Sequence, residues 1–158
     1  MDIPRRILIG VDFSDYSKEA LADAAVLAKH FGADLYLFHA FDVPAYYVPS
    51  MGGRGLKVLD WLRTLREDAH KQLEALAWEV QQQGVKVHPT LKEGVPFREI
   101  PKAAKEMEAD LIVLGTHGRT GLDRFLMGSV AEEVARRAPC PILLIKPKTL
   151  MDQDQKNS

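Results

Sequence analysis

Gly115 to Ser129, GTHGRTGLDRFLMGS, is the stretch that decides how this chain is organised. Four glycines in fifteen residues would let a ligand approach the backbone without meeting a Cβ atom. The largely apolar run 109–114 precedes the stretch and a helical pattern over 130–134 follows it. A buried strand, a glycine-rich loop and a helix N-terminus together form a phosphate site, because loop amides and the helix dipole favour an anion. The glycines alone fit a flexible connecting loop that binds nothing equally well.

Short apolar runs alternate with helical patterns along the rest of the chain. The runs that predict strands are 7–11, 34–40, 85–91, 109–114 and 141–145. Pro89 cannot donate to a strand ladder, so its strand is expected at a sheet edge, whereas 141–145 is expected to be buried. This alternation predicts an open parallel sheet with helices on both faces. Ligands of such sheets bind beyond the carboxyl ends of the strands.

The first two helices are predicted from their caps and their apolar spacing. Ser14, Asp15 and Ser17 can each cap the N-terminus of the first helix, and Gly32 is expected just after its last turn. The second is a long amphipathic helix. Its apolar stripe comprises Leu62, Leu65, Ala69, Leu73, Leu76 and Val80.

The third and fourth helices carry proline and serine signals at their N-termini. Pro96 suits the first turn of the third helix. Because Pro101 has no amide hydrogen, that helix is expected to start near Phe97 or to kink. Ser129 followed three residues later by Glu132 predicts a capping box at the start of the fourth helix.

Two segments lie outside this alternation. Residues 41–57 form a long loop with two prolines and three glycines, which is either a surface insertion or a lid over the binding site. The polar tail from Lys146 onward is expected to be disordered. The predicted domain therefore covers residues 1–147, and 148–158 form a disordered tail.

The composition indicates one soluble globular domain. The chain has 158 residues, 46% apolar and 27% charged, with a net charge of −1. No basic excess points to nucleic acid, and no apolar run of about 18 residues predicts a membrane span. The single cysteine, Cys140, excludes an intrachain disulfide and is expected to be a small buried hydrophobe. The N-terminal MDIPRRILIG lacks the apolar region of a signal peptide, so we expect a cytoplasmic protein.

Three pieces of the sequence resemble the universal stress protein family over residues 4–147. They are ILIGVDFS at 7–14, His39-Ala40 at the end of the second strand, and Gly115-x2-Gly118-x9-Gly128-Ser129. The last resembles the signature of the ATP-binding branch of the family. The resemblance implies a single-domain five-stranded parallel sheet in order 3-2-1-4-5, of the adenine nucleotide alpha hydrolase-like type. It also implies a homodimer and ATP binding.

The same resemblance implies a set of binding residues. Asp12 would lie near the ribose or a Mg²⁺ ion, Ala40 would contact adenine through its backbone, and the loop would wrap the ribose and phosphates. Gly121 stands where several relatives carry asparagine. The implied nucleotide-binding residues are Gly10, Val11, Asp12, Ala40, Gly115, Thr116, His117, Gly118, Arg119, Thr120, Gly121, Gly128, Ser129 and Val130.

Several of these residues have a second interpretation. Asp12 follows a strand and precedes a helix, so it can serve as a helix cap, a Mg²⁺ ligand, or both. Arg119 lies beside Gly118, where a phosphate contact is plausible, whereas Arg124 is expected to be solvated. His117 would donate to a phosphate or act as a base, although a lone histidine is more often structural. No residue is assigned a catalytic role.

The sequence favours a regulatory module that binds ATP with Mg²⁺. Its nucleotide state would change the dimer or the surface offered to an unidentified protein partner. It contains no P-loop, no dinucleotide fingerprint, no nucleophile elbow and no zinc-protease motif. The exposed edge of the last strand predicts a homodimer built by strand pairing. Two alternatives remain open: a slow ATPase or phosphotransferase that uses His117 or Asp12, and a structural stress-response dimer without nucleotide.

Overall fold

The sheet order is the one that the family resemblance implies. The computed structural model describes residues 1–43, 55–117 and 127–148. Its five strands are all parallel and lie in the order β3-β2-β1-β4-β5. In chain order the elements are β1 (Arg6–Gly10), α1 (Asp15–Phe31), β2 (Asp34–Phe41), α2 (Gly55–Gln81), β3 (Val87–Glu93), α3 (Pro96–Glu106), β4 (Leu111–Gly115), α4 (Ser129–Arg137) and β5 (Ile142–Ile145).

The two faces of the sheet carry separate apolar cores. Ile7, Ile9 and Val113 pack with α1 and α2 on one face, whereas Leu8 and Ile112 pack with α3 and α4 on the other. Successive strand residues point to opposite faces, so a continuous apolar run supplies both cores at once. The predicted edge position of the strand with Pro89 is confirmed, because among the described strands β3 pairs only with β2.

The first helix begins and ends, and the third begins, where local sequence signals place them. Ser14 is the N-cap of α1 and its side chain accepts a hydrogen bond from the Ser17 amide at 3.2 Å. Gly32 is the C-cap at φ +65°, a conformation that glycine adopts without a Cβ penalty. Helix α3 starts at Pro96 and keeps Pro101 inside it, so the predicted start near Phe97 is confirmed.

The predicted apolar stripe of α2 is wrong in its first half. Leu65 is 39% exposed and Leu62 is only half-buried, whereas Ala69 is 8% and Leu73 2% exposed. A helix of 27 residues is about 40 Å long at 1.5 Å per residue. A seven-residue strand such as β3 spans only about 23 Å. The helix therefore overruns the sheet, and the first half of its stripe has no sheet to pack on.

The end of the chain differs from expectation in two ways. All four β5 residues are half-buried, not buried, because β5 is the outer strand of the sheet. The tail does not leave the domain at Lys146, since Pro147 is almost fully buried and the Lys148 amide donates to the Glu19 carboxylate at 2.9 Å. The predictions for the 44–54 part of the long loop and for 149–158 lie outside the described residues. Among the described helices none is both long and apolar enough to cross a bilayer.

Candidate functional site

A cavity opens at the carboxyl edge of the sheet, between β1 and β4. Strand order reverses there, because β1 continues to β2 on one side and β4 to β5 on the other, and open α/β sheets bind ligands at such points. We call it the edge cavity; its volume is about 270 Å³. Its lining residues are Gly10, Val11, Asp12, Ser17, Phe38, Ala40, Pro96, Ile100, Leu114, Gly115, Thr116, His117, Gly128, Ser129, Val130 and Ala131.

The edge cavity brings together every predicted binding residue that the structure describes. Positions 10–12, 40, 115–117 and 128–130 all line it. Gly118, Arg119, Thr120 and Gly121, together with Arg124, lie outside the described residues. Their assigned roles therefore stay predictions.

One wall of the edge cavity is apolar, and sequence reasoning missed most of it. Phe38 and Leu114 are buried strand residues, and Ile100 and Pro96 come from α3. Phe38 lies two residues before Ala40, so strand alternation alone would have placed both on the same face. Nothing local in the sequence brings α3 to this edge, since Ile100 has the pattern of any core residue. An apolar wall of this kind suits a nucleobase.

Gly10, the last residue of β1, forms the floor of the edge cavity beside this wall. A Cβ built on Gly10 would lie 2.7 Å from Leu114 Cδ2 and 3.0 Å from Ile100 Cδ1. Both distances are below normal van der Waals contact, so any side chain here would displace the wall. Glycine therefore allows β1 and α3 to approach each other and leaves the floor open.

The opposite side of the edge cavity is the N-terminus of α4. Gly128 is the N-cap, and the first helical hydrogen bond joins the Glu132 amide to the Gly128 carbonyl at 3.1 Å. The amides of the first helical turn therefore have no acceptor within the helix. The residues that carry them, Ser129, Val130 and Ala131, all line the cavity. Three such amides and the positive end of the helix dipole suit an anion such as phosphate.

The predicted capping box at this terminus is wrong. The N-cap is Gly128 and it makes no side-chain cap hydrogen bond, whereas Ser129 is already the first residue of α4. The Glu132 carboxylate accepts a hydrogen bond from Arg136 at 2.9 Å instead of reaching back to the cap. A capping side chain comes from the non-helical residue before the first turn, and Ser129 is already helical, so its hydroxyl does not cap the helix.

Asp12 organises the turn between β1 and α1. Its Oδ1 accepts hydrogen bonds from the Ser14 amide at 3.0 Å and from the Ser14 hydroxyl. Its own amide donates to Ser17 Oγ at 3.2 Å. Asp12 is also a lining residue of the edge cavity, so the structure shows its role in the turn and places it beside the candidate site.

His117 is buried beside the cavity with one ring nitrogen unmatched. It is 8% exposed, its Nδ1 lies 2.8 Å from Thr116 Oγ1, and its ring centroid is 6.0 Å from that of Tyr16. Across the described parts of the chain, Nε2 has no hydrogen-bonding partner. A buried polar atom without a partner costs about 1–3 kcal/mol, so we expect residues 118–126 or a ligand to supply a partner for Nε2.

Cys140 is half-buried and not fully buried as predicted. It lies before the edge strand β5, where helix cover is incomplete. Burial, followed by the nearby Asp110 carboxylate, raises the pKa of the Cys140 thiol. A thiol with a raised pKa is a poor nucleophile at neutral pH.

Comparison with known proteins identifies a family that shares the sequence and the fold of this chain. Residues 4–146 match the universal stress protein family. Over 143 residues the chain is 41% identical to universal stress protein MJ0531 of Methanocaldococcus jannaschii, covering 90% of this chain and 82% of that protein. It also resembles protein MJ0577 of the same archaeon. The solved structure of MJ0577 superposes on this chain with a TM-score of 0.81 at 28% identity, covering 93% of this chain and 99% of MJ0577.

A third relative carries a ligand. The universal stress protein of Archaeoglobus fulgidus, solved in complex with dAMP, superposes with a TM-score of 0.63. It is 24% identical, with 92% of this chain and 100% of that chain covered. At this identity the likeness concerns the fold alone.

Proposed function

This chain belongs to the universal stress protein family, and we propose that it binds ATP in the edge cavity as a regulatory module. The observation that carries the proposal is the pairing of two unlike walls in one cavity. Phe38, Ile100 and Leu114 form an apolar wall, and the first turn of α4 supplies amides on the other side. A nucleotide has the matching pair of ends, an aromatic base and an anionic phosphate chain.

The binding roles follow from this division of the cavity. Ala40, together with Gly10 and Val11, borders the base and ribose. Ser129 and Val130 offer amides, and Ser129 also a hydroxyl, to the phosphates. Gly115, Thr116, His117 and Gly128 form the rim between the two ends. The family resemblance assigns residues 118–121 to the phosphates. The A. fulgidus protein has this fold and was solved in complex with dAMP, which supports the choice of an adenine nucleotide.

A Mg²⁺ ion fits the proposed site through Asp12. No group of three or more His, Cys, Asp or Glu side chains is arranged for a metal within the described ranges. Magnesium sites that handle nucleotides use one or two carboxylates together with phosphate oxygens. Asp12 is an acidic side chain on the cavity wall, so it would supply the protein ligand. The ion would neutralise part of the phosphate charge.

The remaining parts of the proposal concern the protein as a whole. We place the nucleotide-binding domain at residues 1–147 and the protein in the cytoplasm. Two copies pair through the free edge of β5, and ATP changes the surface that this dimer offers to a protein partner. The half-buried β5 residues support the pairing, because an outer strand with apolar side chains invites a second strand.

The proposal is tested by looking for nucleotide on the purified protein. We expect mass spectrometry of the denatured sample to identify an adenine nucleotide, and calorimetry of the stripped protein to detect Mg²⁺-ATP binding. Phosphate release measured in the same samples separates a binding module from a slow ATPase. No bound nucleotide and no calorimetric signal would rule out the proposed function, whereas turnover above the buffer rate would favour the enzyme.

A further inference from the structure

His39 lies directly behind the turn that leads from β1 to α1. It follows Phe38 and precedes Ala40, both of which line the edge cavity. Since successive strand residues point to opposite faces, the His39 side chain extends from the other face of the sheet. It is 6% exposed there. His39 is therefore packed inside the protein, but packing is not all that it does.

His39 holds the turn through two contacts. Its Nδ1 lies 2.7 Å from the backbone oxygen of Val11. A carbonyl oxygen only accepts hydrogen bonds, so Nδ1 must carry the hydrogen. Its ring also stacks on Phe13, with centroids 4.3 Å apart and planes tilted by 36°.

Phe13 adopts a backbone conformation that needs such support. Its φ is +65°, which side chains larger than that of glycine rarely tolerate. A residue held in this region persists where its surroundings over-determine it, and such residues cluster at functional sites. The ring of Phe13 packs against the α1–α2 core and on His39. Val11 and Asp12, immediately before it, face the cavity.

We propose that His39 is a positioning residue for the nucleotide site, acting through Val11 and Phe13 from the opposite face of the sheet. The hydrogen bond fixes the Val11 carbonyl, and the stacked ring fixes the left-handed step at Phe13. Together they set the backbone position from which Val11 and Asp12 line the cavity. The inference rests on the proposed nucleotide binding and adds a determinant of affinity that touches no ligand atom.

Two substitutions separate the hydrogen bond from the packing. His39→Leu fills similar volume but has no donor. In His39→Asn the side-chain amide occupies the position of Nδ1 and restores it. We expect His39→Leu to bind Mg²⁺-ATP about five- to tenfold more weakly, the range of one lost hydrogen bond. We expect His39→Asn to recover most of that loss even though it is the smaller side chain.

Two further variants supply a control and a second route. His88→Leu makes the same change on the neighbouring strand, where His88 pairs with Asp34 at the far end of the sheet. It should lower the melting temperature but leave ATP affinity unchanged. Phe13→Gly accepts the positive φ yet removes the stacked ring, so it should stay folded and lose affinity. It therefore serves as the test if His39→Leu proves too unstable to purify.

The outcomes distinguish this inference from the proposed function. A ¹⁵N spectrum of wild-type His39 should show a protonated Nδ1, and the affinities should follow the order wild type, Asn, Leu. If both His39→Leu and Phe13→Gly bind ATP as tightly as the wild type does, the positioning role is overturned while ATP binding stands. A wild-type protein that binds no nucleotide would overturn both.

Discussion

The amide of Gly128 donates a hydrogen bond of 2.7 Å to the carbonyl oxygen of Thr116. These residues lie near the two ends of the glycine-rich stretch, twelve positions apart in the sequence. A Cβ on Gly128 would approach the same carbonyl to 3.1 Å, so glycine permits the close contact. The bond brings the N-terminus of α4 to the carboxyl end of β4, and this junction forms the amide-bearing side of the edge cavity.

Ser129→Ala should weaken ATP binding without weakening the fold. Ser129 is inside α4 and does not cap it, so we expect less than about 0.5 kcal/mol of lost stability. Ser14→Ala, which removes the cap of α1, should cost about 1 kcal/mol. Urea unfolding and calorimetry of both variants make the comparison. A Ser129→Ala loss as large as that of Ser14→Ala would mean that the capping box forms after all.

Asp12→Asn should remove the Mg²⁺-dependent part of ATP affinity. Asparagine keeps an oxygen that accepts the hydrogen bonds from Ser14 but lacks the charge that a divalent cation prefers. The isolated variant should therefore melt within a few degrees of the wild type. ATP titrations with Mg²⁺ and with EDTA should differ for the wild type and coincide for Asp12→Asn. A persisting Mg²⁺ effect would place the ion on other ligands.

Gly10→Ala should destabilise the protein and close the edge cavity. The added methyl would lie 2.7 Å from Leu114 Cδ2, and overpacking of this kind costs about 1–3 kcal/mol. Gly32→Ala is the control, since Gly32 has open space around it but a φ of +65°. Gly32→Ala should lower stability and leave ATP affinity unchanged, whereas Gly10→Ala should reduce both. Full affinity in Gly10→Ala would show that the ligand does not reach the floor.

Asp34 should contribute stability that is lost in acid. Hydrogen bonds from His88 at 2.9 Å and Lys86 at 3.0 Å lower the pKa of the Asp34 carboxyl below its ordinary value of 3.8. A carboxyl whose pKa is lower in the folded state stabilises the protein above the unfolded pKa, and this contribution disappears as the pH falls through the folded pKa. Asp34→Asn should cost about 0.5–1 kcal/mol at pH 7.

The acid dependence supplies the check on Asp34. Urea unfolding should show the wild type and Asp34→Asn converging in stability as the pH falls from 4 toward 2. Asp68→Asn removes an exposed carboxyl from α2 and should match the wild type throughout this range. A constant difference between wild type and Asp34→Asn at every pH would exclude the ionic contribution.

Leu144→Pro should dissociate the proposed dimer. The carbonyls of Pro141 and Ile145 accept bonds from the amides of Ile112 in β4 and of Thr116 just after it. Strand alternation therefore turns the backbone of Leu144 away from β4, toward the outer edge of the described sheet. Proline there removes an outward amide without breaking a bond to β4. Leu144→Ala loses the same side chain but keeps the amide. Sedimentation equilibrium should give a monomer for the proline variant and a dimer for both Leu144→Ala and the wild type.

The sequence by itself determined the element order and much of the site. Continuous apolar runs separated by helical patterns predict a parallel sheet covered on both faces, because such strands bury two sides. Local signals also fixed several ends, notably Ser14 and Gly32 around α1. The carboxyl ends of parallel strands lie along one edge, so Asp12, Ala40 and Gly115 could be placed together from the sequence.

Only the tertiary structure decided the features that depend on distances between elements and on their relative lengths. The sequence has no measure of how far a helix extends past the sheet, so the exposure of Leu65 could not be foreseen. The N-cap moved from Ser129 to Gly128 because the bond to Thr116 fixes the chain one residue before the expected start. Ile100 reaches the cavity because Gly10 allows close packing. Sequence periodicity tells which residues face inward, whereas close packing between elements decides what each inward residue meets.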